Sequence, residues 1–495
     1  MAIEAYAVFA NGGYFPDAMT LCVVGAWLCF ITVLITEKTE FYAGWNRAQT
    51  SLLGLALAFW LWVGLSIVWS ISPEDSLTDF NRTGGYVAIF AVGITVGRYM
   101  FPRRLAAVLF LAVVAAAAGY GLGPKVFPTV IDNLDDMGRI AVPLGYVNAM
   151  GLLMAMGFVI SIYISSSRTF HWLLRLLSVM AAPLILTCLY FTLSRGATLA
   201  LIIGMIVYFA VAPVRLRSFG ILLLSLIPTF LVARWSGTRD ALIKDRMDMS
   251  DRILAASSLR WYVIISVFAA GSVFTVFLLL GRKVRISPSV KKATGAVLLI
   301  TVLSLALAGS IWFVSSKPSF SDWSSQAYHD LRYGAPSNEG SGRLLEMGSS
   351  GRWKLWEEAL LSWNENPYLG SGGQSFPLIH LLTRDTGTIF EKQPHSHPFQ
   401  LLAEFGIVGF ILGMAFIASA MTFSTLALCR QKDRWEKGLA AAIISLLVIY
   451  LIHASYDWDW NMFGLTMIYF FFTGIMLGWP ATVPVIPPRP VFPGR

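Results

Sequence analysis

A chain of 495 residues in which 56% of side chains are hydrophobic and only 13% are charged is too apolar for a row of soluble domains. Its net charge of +9 is dispersed between apolar runs and forms no basic arm or aromatic-interleaved patch, which excludes nucleic acid as a partner and leaves membrane orientation and anionic ligands. The four cysteines (Cys22, Cys29, Cys188 and Cys429) lie in or beside apolar segments with no CxxC or Cys/His spacing, so a thiolate metal site is excluded as well.

No Lys or Arg precedes the first apolar run, so that run is expected to stay as an anchor and not to act as a cleaved signal. A spanning helix needs about 20 mainly apolar residues. Windows of that kind fall near 17–36, 50–71, 83–101, 105–123, 146–166, 176–194, 197–213, 219–236, 261–281, 294–315, 398–428, 438–455 and 463–479. Residues 1–16 are expected outside, although Ile3 to Ala10 also reads as the remnant of a further helix. The expected fold is therefore all-α, a polytopic membrane protein with about 12–14 transmembrane helices. It is one membrane domain over 1–495 with one large extracytoplasmic loop, 316–397, carrying short helices. The basic connections Arg103-Arg104, Arg168 to Arg175, Arg215 to Arg217, Arg282 to Lys292 and Arg430 to Lys437 then share one side, cytoplasmic by the positive-inside rule.

The opposite connections carry Lys125, Arg139, Arg195, Arg234, Arg239, Arg252, Arg260, Arg343, Arg352, Lys354 and Arg384, more than orientation alone favours. Such a vestibule attracts anions, and arginine suits phosphate because its planar fork donates parallel hydrogen bonds. The plainer reading is scattered solvated charge balanced by Asp240, Asp245, Asp248 and Asp251. Arg195 stands apart because Thr192 to Gly196 leaves no room for a real loop between two apolar runs. Its guanidinium is expected at the outer membrane boundary, facing a cavity or snorkelling to the interface.

Within the loop, Ser350 to Leu360 reads as a capped amphipathic helix with Trp353, Trp356 and Leu360 on one face and Arg352 in its first turn. Asn366-Pro367 and Gly370 to Gly373 end it in a turn whose N–H groups are open to phosphate, a weak signal without a preceding strand or a Walker lysine. His395-Ser396-His397-Pro398 follows where the loop re-enters the membrane. An imidazole can take a proton from a hydroxyl near neutral pH, so His395 is a candidate general base and His397 its competitor; an interfacial pair without chemistry is the alternative. No further His or Cys nearby completes a metal site. Late in the chain, Asp457 and Asp459 either bind an acceptor, pair with an outer arginine, or form a solvated turn flanked by interfacial tryptophans. His171, His329, His380 and His453 join no constellation.

Taken in order, these motifs resemble the O-antigen ligase family, which also includes O-antigen polymerases. The family's ligases carry a histidine followed by Asn, Ser or Gln and, after a spacer, Gly-x-x-Gly. This chain has His395-Ser396, the spacer 397–405, then Gly406 and Gly409. Arg195 at a helix end, Gly351-Arg352-Trp353, Arg139 with Pro143 to Ala149, and His453 to Trp460 resemble further family features, so the likeness runs from about residue 139 to 460. The departures are the second histidine, His397, and a loop longer at its start.

The resemblance implies transfer of a glycan from a polyprenyl (undecaprenyl) diphosphate donor to a glycan, lipid or protein hydroxyl. It places that reaction at the extracytoplasmic side of the bacterial cytoplasmic membrane, without cofactor or metal and with inversion. His395 would be the base, and Arg195 and Arg352 would meet charge on the departing diphosphate. Arg139, Tyr146, Asn148, Trp353, His397 and Asp457 are the substrate-binding candidates, while Trp356 packs the loop. A lipid-linked glycan flippase or transporter would instead show inverted halves and midplane charges. A cell-wall glycosyltransferase of the shape, elongation, division and sporulation class shares the helical body and donor, but the His395 motif favours the ligase family. Ligase and polymerase differ mainly in acceptor, which no short motif encodes.

Overall fold

The computed structural model describes residues 1–37, 45–135, 138–244, 247–280, 315, 320–333, 351–384 and 390–480, and among these the regular structure is helical, with no strand. Before the loop come α1 (Ala2–Phe9), α2 (Pro16–Glu37), α3 (Arg47–Ser66), α4 (Pro73–Arg98), α5 (Met100–Gly121), α6 (Gly123–Val126), α7 (Val147–Ser166), α8 (Trp172–Thr192), α9 (Arg195–Val211), α10 (Arg215–Ser236), α11 (Asp240–Ile243) and α12 (Met249–Leu280). The loop carries α13 (Phe320–Tyr333), α14 (Arg352–Glu365) and α15 (Phe376–Thr383), and α16 (His397–Arg430), α17 (Arg434–Ala454) and α18 (Phe463–Gly478) follow.

Among the described residues, nine helices are long and apolar enough to cross a membrane, and α9 and α18 are apolar but shorter. Of the expected span 294–315, all but residue 315 lies outside the described residues. The span expected at 83–101 begins earlier, at Pro73, because proline in the first turn and the acidic pair Glu74 and Asp75 favour a helix start there. Those added turns contain Asp79 and Arg82, a buried ion pair at 2.6 Å. The Ile3 to Ala10 segment is largely helix α1, packed on α2, α5 and α18. Helix α7 is apolar all round and correspondingly central, enclosed by α8, α9 and α17.

Contacts between the connecting segments gather at two ends of the bundle. At one end Arg103 and Arg104 grip Glu436 at 2.8 and 2.6 Å, and Gln49 reaches the Leu477 carbonyl at 2.8 Å. At the other the Ile71 amide bonds the Ser371 carbonyl at 3.1 Å, and Ile140 bonds Phe191 at 3.1 Å. The loop and the turn between α17 and α18 share this second end.

Helices α4 and α18 approach closely through a Gly-x-x-x-Gly on each. A Cβ added at Gly93, Gly97, Gly474 or Gly478 would lie 2.4, 2.3, 2.3 or 1.9 Å from a carbonyl oxygen of the facing helix. Within lipid such backbone approach is what holds helices together, since apolar side chains gain nothing by leaving the bilayer. Gly478→Leu is therefore expected to cost about 1–3 kcal/mol through overpacking. The cost would be read as a lowered Tm in detergent, and an unchanged Tm would show that the seam opens freely.

Candidate active site

The turn joining α17 to α18 carries Asp457, whose side chain is 1% exposed. Four side chains from distant parts of the chain converge on it. Arg352, the first residue of α14, donates to one carboxylate oxygen at 2.9 Å and to the Tyr456 carbonyl at 2.6 Å. His395 places Nδ1 3.2 Å from the other oxygen. Tyr146 donates its hydroxyl at 3.0 Å and Asn148 its amide at 2.8 Å, both from the entry to α7. The Trp458 amide adds a bond at 2.9 Å. A carboxylate so surrounded by donors is ordered and charged.

Burial alone would favour neutral Asp457, but the Arg352 cation, then the hydrogen bond and charge of His395 and the charge of His453, hold it well below the usual carboxylate range. Burial likewise disfavours an imidazolium at His395, yet its bonds to Asp457 and Glu391 outweigh that and raise it above its ordinary value. Burial opposes the Arg352 cation too, and Asp457, Tyr146 and Asp459 overcome it. Burial, followed by the Asp457 charge, pushes Tyr146 well above the ordinary phenol value, so it stays a donor.

His395 adopts a left-handed backbone, φ 50°, which a non-glycine residue holds only when its surroundings enforce it. They do so on both sides. Gln393 accepts from Asn461 at 2.8 Å, and Ser396 donates its hydroxyl to the Ser455 carbonyl at 2.7 Å, a bond that Asn or Gln could also donate. Nε2 of His395 is left 3.5 Å from the half-exposed carboxylate of Glu391.

The Gly-x-x-Gly that follows docks the loop. At Gly406, φ 62° and ψ −168°, helix α16 breaks, and the break releases the Ala403 and Glu404 carbonyls. The amides of Ser371 and Gly372 take those carbonyls at 3.0 and 2.8 Å, and the Pro367 carbonyl takes the Ile407 amide at 2.8 Å. The glycine turn expected to offer N–H groups to phosphate has thus spent two of them on the kinked helix. A Cβ at Gly406 would lie 2.4 Å from the Tyr368 carbonyl, and one at Gly409 2.9 Å from the Trp62 ring.

Other candidates sit elsewhere. His397 is buried and stacked on Trp460 at 4.4 Å between ring centroids, with no partner at Nδ1. It borders an apolar cavity of about 150 Å³ between α3, α4, α16, α17 and α18, lined in part by Phe59, Ile417, Leu451, Trp460 and Phe470. Arg195 opens α9, half-buried, and the neighbouring Gly196 carbonyl accepts from Tyr456 at 2.6 Å, which ties that helix end to the Asp457 turn. Arg139 is bridged to Asp135 at 2.7 Å. Trp353 donates to Glu357 at 2.8 Å, and Trp356 stacks on Phe399 at 5.5 Å. The face of α14 that is buried is Leu355, Glu358, Ala359 and Ser362, not the expected Trp353, Trp356 and Leu360, and its N-cap is left-handed Gly351 without a side-chain cap. The register differs because α14 packs on α15 and α16 around Leu355 and Ala359, leaving both tryptophans half-buried, with the Trp356 indole N–H 3.4 Å from the His395 carbonyl.

Several of the vestibule cations have local partners: Arg252 pairs with Asp132 at 2.6 Å, Lys125 donates to the Leu242 carbonyl, and Arg260 and Arg239 lie over Phe127 and Trp235. Arg343 lies outside the described residues. Sequence reasoning missed two buried pairs, His453 with Asp459 and His380 with Glu358, each at 2.6 Å. Only the alternation of Asp457 and Asp459 pointed toward the first. Among the described residues no three His, Cys, Asp or Glu side chains gather as a metal ion would need.

A comparison with curated proteins gives no match. Residues 253–414, which hold most of α12, the loop with Arg352 and His395, and the kink with Gly406 and Gly409, match the family model described as O-Antigen ligase, in agreement with the motifs and supporting a glycan-transferring, ligase- or polymerase-like role in a membrane.

Proposed function

We propose that this protein transfers a glycan from a polyprenyl diphosphate, undecaprenyl in a bacterium, to an acceptor hydroxyl at the outer face of the cytoplasmic membrane. The observation that carries this reading is the convergence of one imidazole and one guanidinium on the buried Asp457 carboxylate, at one end of an apolar helix bundle. Arg175, Arg217 and the segment around Arg434 meet the far end of α7 from Tyr146, and by the positive-inside rule this supports an outward-facing site.

With Nδ1–H of His395 donated to Asp457, Nε2 carries the lone pair. It takes the proton of the acceptor hydroxyl as that oxygen attacks the anomeric carbon, and the carbon–oxygen bond to the diphosphate breaks with its electron pair leaving on phosphate. Arg352, its plane fixed by Tyr456 and Asp457, offers its remaining donors to the charge that grows there, and Arg195 is the second cation. A single displacement inverts the anomeric centre. A diphosphate whose charge is neutralised by arginine is already a good leaving group, so the mechanism calls on no metal. Glu391 stands near enough to Nε2 to receive the proton from the imidazolium. The apolar cavity beneath His397 and Ser455 suits the first isoprene units of the donor.

The test is transfer from a radiolabelled undecaprenyl-diphosphate glycan by the protein reconstituted in liposomes. His397→Ala is expected to keep most of the wild-type rate, since His397 lacks a carboxylate partner among the described residues. Loss of transfer on that substitution at unchanged Tm would move the base to His397. Full activity in chelator is expected, and a strict divalent requirement would remove the metal-free mechanism.

A further inference from the structure

Three side-chain links join the segment 393–396 to the turn 455–461. Gln393 accepts from Asn461 at 2.8 Å, His395 meets Asp457 at 3.2 Å, and Ser396 donates to the Ser455 carbonyl at 2.7 Å. The outer two bracket the middle one. Asn461 is fully buried and engaged on every polar atom that faces the protein: besides Gln393, its amide nitrogen points to Gln400 at 3.4 Å, its side-chain oxygen accepts from Gln374 at 2.6 Å, and its carbonyl accepts from Arg82 at 3.3 Å. Arg82 is fixed by buried Asp79, and Gln400 bonds Glu404 just before the Gly406 break. Asn461 therefore ties the glycine turn, the histidine segment and the kinked helix through its side-chain amide, and α4 through its main-chain carbonyl, to the turn that carries Asp457.

We infer that Asn461 is a positioning residue that sets the distance between His395 and Asp457. The inference rests on the proposed role of His395 as base. Its physical ground is the left-handed backbone of His395, which relaxes unless both flanks are held. The Ser396 link holds the later flank, and the Asn461 link is the side-chain bond that holds the earlier one at Gln393. A buried amide that satisfies several partners at once is also an unforgiving anchor, because removing it strands each of them.

The groups that face His395 are Asp457 on the turn, Glu391 on its own segment, Arg352 at the start of α14 and Tyr146 at the entry to α7. Of these, Asp457 and Glu391 raise the imidazole and Arg352 lowers it. If Asn461 is removed, His395 retreats from Asp457 and its value falls toward that of a free imidazole. The acid limb of the pH–rate profile then moves down, while the maximal rate also falls because the base is misplaced.

The experiment compares wild type, Asn461→Ala, Gln393→Ala and the double variant in the liposome transfer assay across pH, with His395→Ala as reference. Each single variant is expected to lose about 10- to 100-fold in maximal rate and to shift the acid limb down by about 0.5 pH unit or more. The double variant should move it no further than the more affected single one, because both ends belong to one link. Gln393→Ala lies in the loop and keeps the case testable if Asn461→Ala does not fold. A limb that stays in place while rate and Tm fall together would overturn the inference and leave Asn461 as packing. Wild-type activity in His395→Ala would overturn the base assignment itself, which is a different result from an unmoved limb.

Discussion

His395→Ala is expected to lower glycan transfer by about 10²–10⁴-fold, the usual worth of a positioned general base, with donor binding retained. Nε2 is the imidazole nitrogen not engaged by Asp457 and lies 3.5 Å from half-exposed Glu391, whereas His329, 3.8 Å from Asp330, is an exposed residue of α13. His453 is fully buried on Asp459, His380 is buried on Glu358, and His397 lies under Trp460. The pH dependence has a definite sign. Base catalysis needs neutral imidazole, and Asp457 and Glu391 raise His395 above its ordinary value, so wild-type transfer should climb through a limb lying above about 6.5 and flatten beyond it. The measurement is kcat/KM against pH for wild type, with single-turnover rates for the variant. A variant that transfers within about threefold of wild type at pH 8 would end the base assignment, because that loss is far below what a lost proton acceptor costs.

The helical body was legible because about 20 apolar residues can do little else in lipid. What hydropathy misjudged has a common cause. The apolar window opens only at residue 83, after Asp79 and Arg82, whereas both sit inside α4 and neutralise each other. The buried stripe of α14 was read from its largest side chains, Trp353 and Trp356, but packing on α15 and α16 chose small Ala359 and Leu355 and left the tryptophans half-buried. The Gly-x-x-Gly was visible as a pattern and its purpose was not, since only the structure pairs Gly406 with the Tyr368 carbonyl. His395, Arg352, Tyr146, Asn148 and Asp457 were all singled out from the sequence, yet nothing there says that one carboxylate joins them. Asn461 carried no signal at all: an isolated amide in a turn looks the same whether it faces water or three partners. The family match at 253–414 covers Arg352 and His395 but not Asp457, so the hub of the site lies beyond the matched residues.

Breaking the Arg352–Asp457 pair should separate stability from chemistry. Arg352 is 18% exposed at its side chain and Asp457 1%, so either single neutralisation leaves one charge without its counterion in a largely dry site. Arg352→Gln and Asp457→Asn are each expected to cost about 3–5 kcal/mol at pH 7, where both partners are ionised. Asp457 is held below the usual carboxylate range, so its contribution is complete above about pH 4 and fades only as pH falls through its lowered value. Lowering the pH of wild type from 8 to 5 should therefore leave this contribution to Tm intact. The double variant Arg352→Gln with Asp457→Asn removes both charges and keeps hydrogen-bonding groups in place, so most of the lost Tm should return. Transfer should not return with it. The cation that meets the departing diphosphate is still absent, at a cost of about 10²–10³-fold, and the neutral amide no longer orients or raises His395. If the double variant regained both Tm and rate, Arg352 and Asp457 would be a structural pair and the diphosphate would have to be met by Arg195 and cations outside this cluster. Recovered Tm with rate still at the level of the single variants would instead assign the pair to the reaction, because a purely architectural contact cannot be rebuilt without restoring what depended on it.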